Sequence, residues 1–524
     1  MMKNYIKYSV VLALGLLACD PELENSIADD NFYTSGSVDL SKFVAVGNSL
    51  TAGYADGALY LTGQQNSFPN ILAGQFSFAG GGTFTQPLMA DNLGGFVGLD
   101  AFPNRFVLAP GDSGLSPSRL GGSPTTDFTT VLSGPFNNMG VPGAKSFHLG
   151  LSGYGNAAGV SQGTANPYFV RFASAPDASV IADAVAQKPT FFTLWIGNND
   201  VLSFATSGGV GVDQTGNLDP ATYGSSDITD PNVFASVYSG YVNALTASTP
   251  DGILINIPDV TTIPYFTTVP FAALSPLNPE FGPQIPTLNA TFAPINQAYA
   301  FLGVSERSIQ FSQDAASAVV IRDESMADIS AQLTQVLIGG GLDVPTATVL
   351  GQQFGQSRQA NENDLLVLPS SSIIGEPNME YLQQLTAMGV PKQLAAQLSV
   401  NGITFPLQDQ YTLTANEQEL VSKAQTAYNQ TIAALAAAND LILIDAEAIL
   451  NQIAATGISY DAGTLRSTFA TGGAFSLDGV HPTPRGYAHL ANVMIEAINK
   501  KYDATIPAVN IGDYNTITVS ANAE

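Results

Sequence analysis

Four short apolar runs, at residues 43–46, 191–196, 253–257 and 441–444, punctuate the chain, with amphipathic or alanine-rich helical patterns between or after them. Uninterrupted apolar runs of this length suit strands buried on both faces, as in a parallel sheet. Helical periodicity covers residues 178–187, 233–247, 416–438 and 484–501. Strands alternating with helices predict an α/β fold whose sheet is covered on both sides. Residues 53–136 are rich in Gly, Pro, Ser and Asn and predict loops and short elements. Residues 261–411 mix proline-rich loops with helical patterns; 326–354 and 379–400 each read as a helix, a glycine-containing turn and a second helix. This stretch is expected to form a mostly helical, cap-like insertion over the sheet of one domain spanning residues 42–524.

The N-terminus has a different character. Lys3 and Lys7 precede an apolar run, residues 8–18, that is too short to span a bilayer. This pattern predicts a signal peptide over residues 1–18. It closes on Leu16-Leu17-Ala18-Cys19, and Cys19 is the only cysteine in the chain. The tetrapeptide resembles the lipobox of bacterial lipoproteins. That resemblance implies a lipid on Cys19 and attachment to the cell envelope at the outer membrane, facing the periplasm or the outside. Residues 19–41 are polar and predict a flexible tether. Its acidic residues Asp20, Glu22 and Glu24 resemble the surface-export signals of lipoproteins from the Bacteroidota. With Cys19 modified, no cysteine remains for a disulfide, so the fold must stand on its core. Hydrophobic residues make up 45% of the chain, enough for a large one. Acidic residues outnumber basic ones by 43 to 17, giving a formal charge of −26. Such a field repels phosphate backbones, which argues against a nucleic-acid partner. A monomer is expected.

A parallel α/β sheet binds ligands at the carboxyl ends of its strands, so the residues that follow each run carry the functional information. The first run leads into Gly47-Asn48-Ser49-Leu50, the second into Gly197-Asn198-Asn199-Asp200. Asp478-Gly479-Val480-His481-Pro482 stands just ahead of the last helical pattern. A serine hydroxyl is a poor nucleophile until a base takes its proton, and histidine has the pKa for that task. There are three histidines. His489 falls within a helical pattern, and His148 has no acidic neighbour in sequence. His481 has Asp478 three residues before it. An Asp-x-x-His turn can set the carboxylate against one imidazole nitrogen while the other faces a serine. The same residues would also serve an ordinary Asx turn. An oxyanion needs preorganised donors, and candidates are the Asn199 side chain and the backbone of Gly143 in the turn Asn137-Asn138-Met139-Gly140-Val141-Pro142-Gly143-Ala144. Trp195, Tyr54, Tyr60, Phe204 and Tyr265 are candidates for lining an acyl pocket, with a core role as the alternative. The chain has no His-Glu-x-x-His motif and no Gly-x-x-x-x-Gly-Lys loop, so neither a metal nor a cofactor is expected.

These four blocks, Gly47-Asn48-Ser49-Leu50, the Gly143 turn, Gly197-Asn198-Asn199-Asp200 and Asp478-Gly479-Val480-His481, stand in the order of the SGNH, or GDSL, hydrolase family, which the chain resembles over about half of its length. The resemblance implies a flavodoxin-like three-layer α/β/α fold and an esterase or lipase site acting on carboxylic esters of lipids, carbohydrates or small molecules. It implies Ser49 as nucleophile and first oxyanion donor, Gly143 and Asn199 as further donors, His481 as base and Asp478 as its orienting carboxylate. The chain departs from the family's pattern at Asn48, where an Asp is usual. An acyltransferase, or a surface lipoprotein that binds glycan or lipid without turnover, would use the same scaffold.

Overall fold

The computed structural model describes residues 32–111 and 114–523. Cys19, the expected signal peptide and the first part of the expected tether lie outside these residues. The centre is a five-stranded parallel sheet of β1 (Phe43–Gly47), β2 (Asn138–Gly140), β3 (Phe191–Trp195), β4 (Gly252–Ile255) and β5 (Ile442–Ile444). Its spatial order is β5-β4-β3-β1-β2, so numbering along the chain gives the doubly wound order 2-1-3-4-5. The register pairs Gly47 with both Gly140 and Trp195, which brings the ends of β1, β2 and β3 level.

Alternating side chains serve opposite faces of a strand. Val44, Val46, Phe192, Leu194 and Leu254 enter one core. Phe43, Ala45, Phe191, Trp195, Ile253 and Ile255 enter the other. Burial on both faces is why these strands read as unbroken apolar runs. Helices α3 (Val180–Ala186), α4 (Asn199–Thr206), α5 (Pro231–Thr246) and α6 (Ala415–Ala438) contribute to the first core. Helices α2 (Phe68–Phe76) and α8 (Pro484–Tyr502) contribute to the second. Two further helices matter for the site: α1 (Ser49–Ala52) and α7 (Ala446–Ala455). The α8 residues Tyr487, Leu490, Ala491, Met494, Ile495 and Ile498 are buried at the three- and four-residue spacing of one helix face.

One expectation changes and two gain detail. The last residues of the expected tether belong to the fold: Val38 and Leu40 are buried, and the Ser37 amide donates to the Tyr502 carbonyl. The two apolar side chains join the core formed by the sheet and α8. The stretch from 53 to 136 consists of loops and short elements, among them α2 and an antiparallel hairpin of Phe106–Gly111 with Gly114–Arg119. The insertion packs on the sheet core through Ile263, Phe266 and Val367, and it is more than a covering layer. It encloses a third core, with members from Val269 to Leu407, built by helices Ile285–Leu302, Ser330–Gly339, Val344–Phe354, Met379–Ala387 and Lys392–Gln397. A two-residue pairing of Leu365–Leu366 with Thr412–Leu413 ties it back to the start of α6. Among the described residues no helix is long and apolar enough to cross a membrane.

Candidate active site

Ser49 is the second residue past β1. A side chain at Gly47 would put its Cβ 2.4 Å from the Trp195 carbonyl oxygen, so only glycine lets β1 end this close to β3. Asn48 then caps α1 by accepting the Leu50 amide (3.0 Å) and donates to Asn198 Oδ1 (3.3 Å). An Asp there would keep the cap and lose the donor, which accounts physically for Asn48. Ser49 is 6% exposed, with its hydroxyl turned toward His481.

His481 Nε2 lies 2.8 Å from Ser49 Oγ, and His481 Nδ1 lies 2.8 Å from Asp478 Oδ2. With Asp478 ionised, the proton sits on Nδ1 and Nε2 is left as acceptor for the serine hydroxyl. The Asp478 carboxylate accepts several further bonds. The amides of Val480 and His481 reach Oδ1 at 2.8 Å each, the Ser476 hydroxyl reaches Oδ1 at 3.1 Å, and the Gly57 amide reaches Oδ2 at 2.9 Å. Burial would push this carboxyl up, but His481 and the hydrogen bonds win and hold it at about 2. Gly479 supplies the positive φ of 72° that closes the turn. The Tyr54 ring packs on the His481 ring at 4.6 Å, and Tyr487 fixes Tyr54 by donating to its carbonyl.

Behind this turn stands Asp56, which carries no periodic or motif signal in the sequence. Its Oδ1 accepts the Leu477 amide (3.0 Å), its Oδ2 accepts the Tyr60 hydroxyl (2.9 Å), and its own amide donates to Ser476 Oγ (2.8 Å). Asp56 thus clamps the loop after α1 to the turn that carries Asp478. Burial raises its carboxyl to about 6, against the partial relief of the Leu477 amide, Tyr60 and Arg105.

On the other side of Ser49, Asn199 Nδ2 donates to the Ala144 carbonyl at 2.9 Å, tying the start of α4 to the turn after β2. Gly143 in that turn has φ 79°, and the space a Cβ would fill is empty out to 4 Å. The fully buried Asp200 carboxylate accepts the Ser146 amide (2.8 Å) and hydroxyl (2.6 Å), fixing the segment just past Gly143. Asp200 belongs to the quoted block, yet its role as a brace for the neighbouring turn needs the fold to be seen.

An apolar cavity of about 110 Å³ opens at Ser49, His481 and Asn199 and is otherwise lined by side chains such as Trp195, Leu450 and Ile453. Of the aromatic candidates only Trp195 lines it. Tyr60 bonds Asp56, Phe204 is core, and the Tyr265 hydroxyl donates to the Thr206 carbonyl. His489, read from its helical pattern as unremarkable, lines the cavity too, with its pKa lowered by burial. Gly143 lines a groove of about 1290 Å³ with Lys145, His148 and Tyr223, while its neighbour Ala144 holds Asn199 of the cavity. His148 accepts the Lys145 amide on Nδ1 (3.0 Å) and stacks on Tyr154; burial and Lys145 lower its pKa to about 4, so it is neutral. The insertion supplies Ile263 to the cavity wall and nothing from its own core. One carboxylate trio among the described residues, Glu324, Asp409 and Glu417, converges within 4.8 Å where the insertion meets α6, and none of it lines the cavity.

No family model, curated protein or solved structure matches the chain.

Proposed function

We propose that this protein is a serine ester hydrolase of the SGNH, or GDSL, type, with the flavodoxin-like three-layer fold that type implies. The observation that carries the reading is the unbroken chain Asp478–His481–Ser49, with both links at 2.8 Å, at the mouth of an apolar cavity. Ser49 Oγ attacks the ester carbonyl while its proton passes to His481 Nε2. Asp478 stabilises the imidazolium and keeps its orientation without taking the proton. The oxyanion is stabilised by the Ser49 and Gly143 amides and by the second Nδ2 hydrogen of Asn199, the first being held by Ala144. Collapse of the tetrahedral adduct breaks the bond to the alcohol oxygen, which takes the proton from His481 and departs. Water, activated by the same imidazole, then frees the acid and restores Ser49.

Ser49→Ala is expected to lower turnover of 4-nitrophenyl acetate by about 10³-fold or more while leaving the thermal transition in place. Wild-type-like turnover in this variant would overturn the assignment. We also propose that a lipid on Cys19 holds the enzyme at the bacterial outer membrane. Replacing Cys19 with Ser should release the protein to the soluble fraction, and continued membrane partitioning would contradict the anchor.

A further inference from the structure

The cavity beside Ser49 is small, and apart from Ile263 its walls come from outside the insertion. It runs from the serine between α7, which contributes Ala446, Ile449, Leu450 and Ile453, and the first turns of α8, which contribute Leu490. Trp195 stands on its sheet side, fixed by an indole N–H donated to the Asn256 carbonyl at 3.1 Å. A volume of about 110 Å³ can be set against an apolar protein cavity of about 150 Å³, which takes one benzene. By the same measure there is room for about four carbon atoms. The leaving alcohol must give way to the water that His481 activates, so its position has to be wet. A wall of Trp, Leu and Ile suits the portion that stays bonded to Ser49 after the alcohol has gone.

The geometry points to α7 as the gauge of acyl-chain length, making the enzyme selective for esters of short acids of up to about four carbons. This rests on the ester-hydrolase reading above. Since Leu450 and Ile453 are buried and packed into the sheet core, the gauge is rigid and sets a size limit instead of adapting to a longer chain.

Two substrate series test it on the protein lacking residues 1–19. One holds the 4-nitrophenyl leaving group and lengthens the acyl chain from acetyl to decanoyl. The other holds the acetyl group and lengthens the alcohol from methyl to octyl. In the acyl series kcat/KM should rise about fourfold per methylene to butanoyl and then fall by about tenfold or more by octanoyl. The alcohol series should show no comparable limit. Leu450→Ala, or Ile449→Ala if the buried change weakens the fold, should move the acyl optimum upward by about two carbons. An octanoyl optimum in the wild type, a size limit in the alcohol series, or an optimum unmoved in both variants would overturn the proposal. These failures differ from failure of the hydrolase reading itself, which would appear as no turnover of any ester together with no adduct from a fluorophosphonate probe.

Discussion

Asp478 and Asp56 brace the same turn, and the fold moves their carboxyls in opposite directions. Burial pushes both upward, but Asp478 faces His481 and a ring of N–H donors, whereas Asp56 has fewer donors and feels the charge of Asp478. The folded state holds Asp56 at about 6 against an ordinary 3.8. Between those values the folded protein keeps a proton that the unfolded chain has released, so stability falls as pH rises through the window. Its full extent is about 3 kcal/mol for a shift of this size. Asp478 acts the other way, with its stabilisation present above the ordinary 3.8 and lost as pH falls through about 2. Asp56→Asn should therefore abolish the decline between pH 4 and 6 while leaving the acid limb intact, as read from urea denaturation of both proteins across pH 2–7. A wild-type-minus-variant difference that is flat from pH 4 to 6 would contradict the clamp's assigned protonation.

Helix α8 begins three residues after His481, so its first turn sets where the imidazole stands. Thr483 caps it by accepting the Gly486 amide at 3.1 Å and donates its own hydroxyl to the Gly473 carbonyl at 2.6 Å. Thr483→Ala should cost about 1 kcal/mol of stability and lower kcat more than it changes KM, since the base loses position while the cavity keeps its walls. Equal kcat in wild type and variant would show that Pro482 and the Asp478 turn suffice. The helical pattern of α8 was legible in the sequence because its buried face repeats at three and four residues, and β1, β3, β4 and β5 were legible as apolar runs. The edge strand β2 was not: Asn138-Met139-Gly140 is too short and too polar to show a period, and only its register with β1 makes it a strand. Ser49 could be read as a strand-end residue, and Asp478 with His481 as an Asp-x-x-His turn ahead of the last helix. Asp56 could not, because its partners Leu477 and Ser476 lie more than 400 positions away.

The molecule joins a doubly wound sheet to an insertion with its own core, and the seam between them carries like charges. Glu417 at the start of α6 meets Glu324 and Asp409 of the insertion. Burial and the neighbouring Glu324 push Glu417 well above the usual carboxylate range, even though the Thr414 amide and hydroxyl bond it. A carboxyl raised in the folded state costs stability as pH climbs from its ordinary value through the folded one. Glu417→Gln, which keeps the cap acceptor, should raise the melting temperature at pH 8 and leave it little changed at pH 4; an equal shift at both pH values would contradict a titrating seam. The chain's net charge of −26 acts on this scale as well, opposing anionic ligands without choosing a substrate. On the function proposed above, substrate size falls instead to α7, and the reaction type to Ser49. The most direct test of that claim is intact-mass and peptide analysis after a fluorophosphonate probe. We predict one adduct, on Ser49, lost when His481 is replaced with Ala; no adduct, or an adduct on another residue, would contradict it.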